Sequence, residues 1–238
     1  MNDKHPQWLF DESMQVGVDY TNEDLAADYD NQHEGFRNFK DEAGKIITAL
    51  NLSKKSIVLD IGCGTGGLST HLAAACRHVY SADVSKAMLS ILDSKIKNQN
   101  LTNITTIQAG FLTYDHKGEA IDAIVANMTL HHMPDFWKQI ALCRLYDILV
   151  PGGKLFLSDV VFDFPPRSYR KIINEWLNGM KEMAGSKMAE EAVVHIRDEF
   201  STWDWIMSGM LERAGFEIES SIERIPQAKA YICSKSRK

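Results

Sequence analysis

Apolar residues recur along the chain with two interleaved periods. Short, largely apolar runs at Ile57–Ile61, His78–Ala82, Ile104–Gln108, Ile121–Asn127 and Lys154–Val161 have the length and β-branched content of strands. Between them the spacing changes to that of helices with one apolar face. Leu68, Leu72 and Ala75 share a face of the first, and Met88, Leu89, Leu92 and Ile96 of the second, which Ser85 can cap. A third runs from Pro134-Asp135 to about Leu149. A helix from Ser201-Thr202-Trp203 to Arg213 stops at Gly215, and Glu217–Ile222 and Ala228–Ser234 are the last strands. Two stretches lie outside this alternation. Near the N-terminus, Trp8, Leu9, Phe10, Val16 and Val18 form an apolar string. Thr21 or Asn22 can cap a helix through Tyr29, and Phe36, Phe39, Ala43, Ile46, Ile47 and Leu50 line a helix from about Gly35 to Leu50. After Pro165-Pro166, an amphipathic helix spans about Arg167–Met183, and a further helical region follows Ala184-Gly185-Ser186. The expected organisation is one domain over 1–238: an N-terminal lid segment (1–39), a core (40–160), a helical cover (161–202) and the end of the sheet (203–238).

The first strand breaks into glycines at Gly62, Gly64, Gly66 and Gly67 before its helix begins. Strand, glycine turn and helix open a βαβ nucleotide-binding unit, in which the turn brings backbone close to a ligand. The G-x-G-x-x-G spacing of Gly62, Gly64 and Gly67 is weakly specific by itself. Asp60 narrows the choice: at the strand's carboxyl end, its carboxylate would repel a pyrophosphate but suits a ligand carrying an ammonium and a sulfonium. Asp83 ends the second strand about 20 residues past the first glycine, where an acidic side chain can accept both ribose hydroxyls.

Val58-Leu59-Asp60-Ile61-Gly62-Cys63-Gly64-Thr65-Gly66, then Ala82-Asp83-Val84-Ser85 and Met88-Leu89, resembles the class I S-adenosylmethionine-dependent methyltransferases. The segment Leu130-His131-His132-Met133-Pro134-Asp135 resembles the L-H-H-x-x-D segment of their small-molecule members, and the Pro151-Gly152-Gly153 turn also fits. The resemblance implies a doubly wound, Rossmann-like α/β sheet of seven strands, the last antiparallel, with helices on both faces. It implies S-adenosyl-L-methionine as cofactor, cradled by Asp60, Gly62, Cys63, Gly64, Gly66, Asp83, Val84 and Met88. Asn127 would face its methionine portion, and Tyr29, with His33 and Arg37 at helical spacing, would close the site; the alternative is that Tyr29 packs and Arg37 is a solvated charge. The family usually places an acidic residue after the third strand to bind adenine. Here the chain reads Ala109-Gly110-Phe111-Leu112, so backbone at Gly110 and Phe111 is the expected substitute.

Composition adjusts this picture. Net charge is −6, which argues against a nucleic-acid substrate. Cys63, Cys76, Cys143 and Cys233 are widely spaced, as in a reducing compartment, and no apolar run approaches a membrane span or a signal-peptide core. A cytoplasmic enzyme with a small-molecule methyl acceptor is expected. Oligomeric state is not legible.

Methyl transfer from a sulfonium is an in-line displacement that gains most from positioning. A base is needed only where the acceptor must lose a proton, and His131, His132 and Asp159 are the candidates. The alternative for the two histidines is a loop that cradles the cofactor, and Asp159 could orient the acceptor or only cap a strand end. No metal site is expected, because no carboxylate cluster or His-x-x-x-His pair stands at ligand spacing. Two other readings of the glycine pattern are a nicotinamide-dependent oxidoreductase, against which Asp60 argues, and a non-catalytic binding module, against which the intact Asp60 and Asp83 argue.

Overall fold

The strand Ile57–Ile61 (β1) is buried at all five residues, so it takes a central place in a sheet. It pairs in parallel with β2 (His78–Asp83) on one side and β4 (Ile121–Asn127) on the other. With β3 (Ile104–Gln108), β5 (Leu149–Phe162), β7 (Glu217–Ile225) and β8 (Ala228–Ser234), the order is β3-β2-β1-β4-β5-β8-β7. β8 is antiparallel to both neighbours. This is the doubly wound sheet the sequence implies. The computed structural model describes residues 6–14, 16–17, 20, 22–34, 37–225 and 227–237. Val18, Thr21, Gly35 and Phe36 lie outside these, as does the side chain of His33.

Successive residues of a strand point to opposite faces. Val58, Val79 and Val125 therefore pack with Ala43, Ile46 and Leu50 of α2 (Phe39–Leu50) and with Leu68 and Leu72 of α3 (Gly67–Ala73). Leu59, Ile124 and Leu155 pack on the other face with Leu142 and Leu145 of α5 (Asp135–Ile148) and Met207 and Leu211 of α7 (Asp204–Ala214). Asn22 Oδ1 accepts from Asp24 N at 2.9 Å at the start of α1 (Glu23–Glu34). Ser85 Oγ accepts from Met88 N at 3.2 Å at the start of α4 (Lys86–Asn98). Gly215, at φ 102°, ends α7. α2 begins later than expected, because Asn38 caps it by accepting from Asp41 N.

The expected helix start at Ser201–Trp203 is corrected. Thr202–Trp203 is a two-residue strand, β6, parallel to Val161–Phe162 where β5 overruns the sheet, and the Phe162 and Trp203 rings lie 5.7 Å apart. The insertion is α6 (Tyr169–Asp198), kinked at Gly185. From Tyr169 to Glu191 none of its residues is buried. In the N-terminal string, Trp8 and Phe10 stack on Trp137 of α5. Among the described residues no helix is long and apolar enough to cross a membrane, and the four cysteines are free thiols.

Candidate active site

Strand order reverses between the parallel β1 and β4: β2 and β3 are laid to one side and β5 to the other. Open α/β sheets form their ligand crevice at such a switch point, beyond the strands' carboxyl ends. A cavity lies there, floored by Gly62, Cys63 and Gly64. The turn is held by Gly62 N and Cys63 N, which donate to Ala82 O at 2.8 and 3.0 Å. A Cβ on Gly62 (φ 69°) would lie 2.0 Å from Thr129 Oγ1, whereas one on Gly64 (φ 54°) would meet nothing within 4 Å. Gly62 is thus required by packing, and Gly64 leaves room facing the cavity.

Both acidic residues of the glycine unit line the cavity. Asp60 is 2% exposed, and its Oδ2 accepts from Ser69 Oγ at 2.6 Å. Burial pushes its carboxyl up to about 6; the Ser69 bond opposes this and Asp83 adds to it. Asp83 accepts from Gly64 N and Ser85 N, both at 2.8 Å, so it braces the turn, and burial raises its carboxyl as well.

Val84 and Met88 line one side, Gly110 and Phe111 another, and Asn127 stands at the end of β4. Tyr29 comes in from α1 against Tyr20, edge to face at 5.4 Å, and both line the cavity. α1 is tied down by Asp30, which accepts from Thr65 Oγ1 at 2.6 Å and pairs with Lys95 at 2.5 Å. Arg37 lines the cavity too, held by Glu42 at 2.7 Å and lying 4.5 Å over Phe39. Gly66 does not reach the cavity lining; its missing Cβ makes space for Leu92.

The two histidines separate. His132 lines the cavity, while His131 is buried behind it. His131 N donates to Asp159 Oδ2 at 3.0 Å, and its Nδ1 bonds Asp159 Oδ1. Burial works against a charged His131, but the Asp159 carboxylate outweighs it and raises the imidazole; Asp159 is held low in return, against its own burial. Burial, reinforced by His131, pushes His132 down to about 4, leaving it a neutral imidazole at pH 7. Before this segment Met128 has φ 57°, a strained conformation for its residue type, and its N–H donates to Ser158 O at 2.7 Å.

Two residues that the sequence reading did not single out also arrive here. The Glu12 carboxylate accepts from Leu112 N, Thr113 N and Thr113 Oγ1, lies against Gly110 and lines the cavity. An acidic group thus stands beside the segment after β3, delivered from the N-terminus. Glu199, from the end of α6, reaches His131. Its only signal in sequence is the i,i+4 spacing to His195, which pairs with it.

Residues 58–153 match the family described as "Methyltransferase domain". An uncharacterised methyltransferase of Bacillus cytotoxicus is 29% identical over 161 residues, 68% of this chain and 69% of its own. Residues 58–153 are therefore a methyltransferase domain, and the chain is similar to the S-adenosylmethionine-dependent methyltransferases. Solved structures share the fold. The S-adenosylmethionine-dependent methyltransferase from Clostridium acetobutylicum superposes with a TM-score of 0.66 at 12% identity, covering 90% of this chain and 98% of that one. Magnesium protoporphyrin IX methyltransferase from Synechocystis, solved with bound S-adenosylhomocysteine, gives 0.62 at 19% identity, covering 92% and 97%.

The cavity's chemistry fits this methyl donor. Asp60 and Asp83 line the cavity with the Arg37 guanidinium, and the space at Gly64 is open, a lining compatible with a ligand that carries cationic groups, hydroxyls and a carboxylate. In this methyltransferase the raised Asp60 carboxyl carries a pH consequence. Its folded value, about 6, exceeds the ordinary 3.8, so the cost of burying the charge is absent below about 4 and complete above 6. Stability of the free enzyme should therefore fall as pH rises through that window. A bound cation favours the carboxylate and reverses the sign. S-adenosylmethionine should bind about tenfold more tightly at pH 7 than at pH 5, one pH unit below the Asp60 value. Calorimetry at the two pH values checks this, and Asp60→Asn should flatten the dependence.

Proposed function

We propose that this methyltransferase acts on a small-molecule acceptor, which enters beside His132 and meets the methyl group under a roof made by Tyr20, Tyr29 of α1 and Arg37. The observation that carries this reading is the roof itself. Tyr20, Tyr29 and Arg37 line the cavity from outside the nucleotide-binding core and are packed or ion-paired in place. Such a cover admits a compact acceptor and excludes a folded macromolecule, and the net charge of −6 argues in the same direction against nucleic acid.

The cofactor supplies an already activated methyl group, and the chain's residues position the reaction. Asp83 takes the ribose hydroxyls, backbone at Gly110 and Phe111 with the Glu12 carboxylate takes the adenine edge, and Asp60, Asn127 and Arg37 hold the methionine portion. The buried His131–Asp159 pair orients the loop. His132, neutral at pH 7 and lining the cavity, positions the acceptor against the methyl group. Free thiols support a reducing, cytoplasmic setting.

Incubation of the enzyme with isotopically labelled methyl donor and a metabolite extract, followed by mass identification, should yield a labelled small molecule. Label found only in protein or RNA would overturn the proposal. The roof has its own test. Saturating S-adenosylhomocysteine should slow hydrogen exchange in α1 as well as in residues 57–85; protection confined to the latter and to 108–132 would return Tyr29 to a packing role.

A further inference from the structure

The loop after β4 and the last turn of α6 bring several metal-ligating side chains to one point. Phe200 N donates to His131 O at 2.8 Å, and Lys138 bonds both Asp135 and Phe200 O, so the end of α6 is fastened to the histidine loop. Glu199 is carried inward by this junction; its side chain is 3% exposed. His131 Nε2 lies 3.5 Å from Glu199 Oε2, and the His131 and His132 rings are 4.3 Å apart. The His132 Nδ1 is buried and has no hydrogen-bond partner among the described residues. One donor atom from each of His131, His132 and Glu199 lies within 4.8 Å of the other two.

We propose that His131, His132 and Glu199 bind one divalent transition-metal ion on the acceptor side of the cofactor cavity. Two ligand atoms held about 2.1 Å from a tetrahedral ion lie roughly 3.4 Å apart, the spacing found between His131 and Glu199. Two imidazoles and a carboxylate form a borderline donor set that selects zinc, iron(II), cobalt(II) or nickel(II) over magnesium. The surroundings are those of a metal-binding histidine. Its Nδ1 bonds the buried Asp159 carboxylate, which leaves Nε2 to offer its lone pair toward Glu199. His195, on the same Glu199 oxygen and 2.8 Å from Ser201 Oγ, orients the carboxylate. His132 alone of the three lines the cavity, so an ion with three protein ligands would keep a position open toward it, the arrangement of catalytic rather than structural sites.

An acceptor hydroxyl in that position would become more acidic and release its proton to water. Its oxygen would then form the bond to the methyl carbon as the carbon–sulfur bond breaks and sulfur takes the electron pair. That role rests on the proposed acceptor chemistry; binding of the ion does not.

The test uses metal alone. Chelator-treated enzyme is titrated with cobalt(II), followed by visible absorption, and with zinc by calorimetry, in the absence of methyl donor. Saturation at one ion per chain is expected, with the absorption of a low-symmetry nitrogen–oxygen site. His132→Ala and Glu199→Gln should each weaken binding on the order of 100-fold, and Asp159→Asn by about 10–100-fold through the orientation of His131. His116→Ala removes an imidazole bonded instead to Tyr114 and Glu119, and should change nothing. Melting curves confirm that each variant is folded. Absence of saturable micromolar binding, or binding unaltered in both His132→Ala and Glu199→Gln, would overturn the site. S-adenosylhomocysteine calorimetry separates the outcomes, because an enzyme that binds this ligand but no metal loses only the metal proposal.

Discussion

Gly62→Ala should lower stability by about 3 kcal/mol and remove measurable cofactor binding. Two costs combine. A side chain at φ 69° lies in the left-handed region, a penalty of roughly 1–2 kcal/mol. The new methyl would also sit 2.0 Å from Thr129 Oγ1 and 2.6 Å from its Cβ, so the loop must move, at about 1–3 kcal/mol. Gly62 is anchored to Ala82 O, and Thr129 leads directly into His131 and His132, so any relief shifts the cavity floor or the acceptor side. Gly64→Ala is the contrast. Its φ of 54° carries the dihedral penalty, but the Cβ meets no protein atom within 4 Å. That variant should melt only slightly earlier, yet bind S-adenosylhomocysteine far more weakly, because its methyl occupies ligand space. Thermal melts and calorimetry on the pair decide it. Equal losses of stability would mean that the Thr129 contact does not govern the turn.

Asp83→Ala should weaken cofactor binding by about 2 kcal/mol, roughly thirtyfold, on the scale of charge-assisted bonds to a ligand's hydroxyls. It should also destabilise the free enzyme, because Gly64 N and Ser85 N each lose an acceptor at 2.8 Å in a partly buried site. One carboxylate therefore serves the glycine turn and the entry to α4 as well as the ligand. The two effects separate if affinity is measured well below the melting temperature of the variant. Unchanged affinity for S-adenosylhomocysteine would place the ribose elsewhere.

Much of the cavity wall built by the glycine unit was legible in sequence because its geometry is largely local. Asp60 bonds Ser69 in the helix that follows, Ser85 caps α4 and Asp83 closes onto the turn across one strand pair, whereas the packing of Gly62 against Thr129 appears only in the folded chain. Periodicity likewise shows where strands alternate with helices, since each strand must bury both faces and each helix one. The parts of the site that come from outside the glycine unit were not legible, because no local rule brings them together. Glu12 reaches Leu112 across 100 residues, and Glu199 reaches His131 only after α6 has left the sheet and returned at Phe200. Pattern predicted a helix start at Ser201–Trp203, and the overrun of β5 made a strand there instead. The His131-His132 pair was visible as residues. That one imidazole faces the cavity while the other turns to Asp159 and Glu199 is decided by the strained backbone at Met128 and by the packing of α6, which exist only in the folded chain.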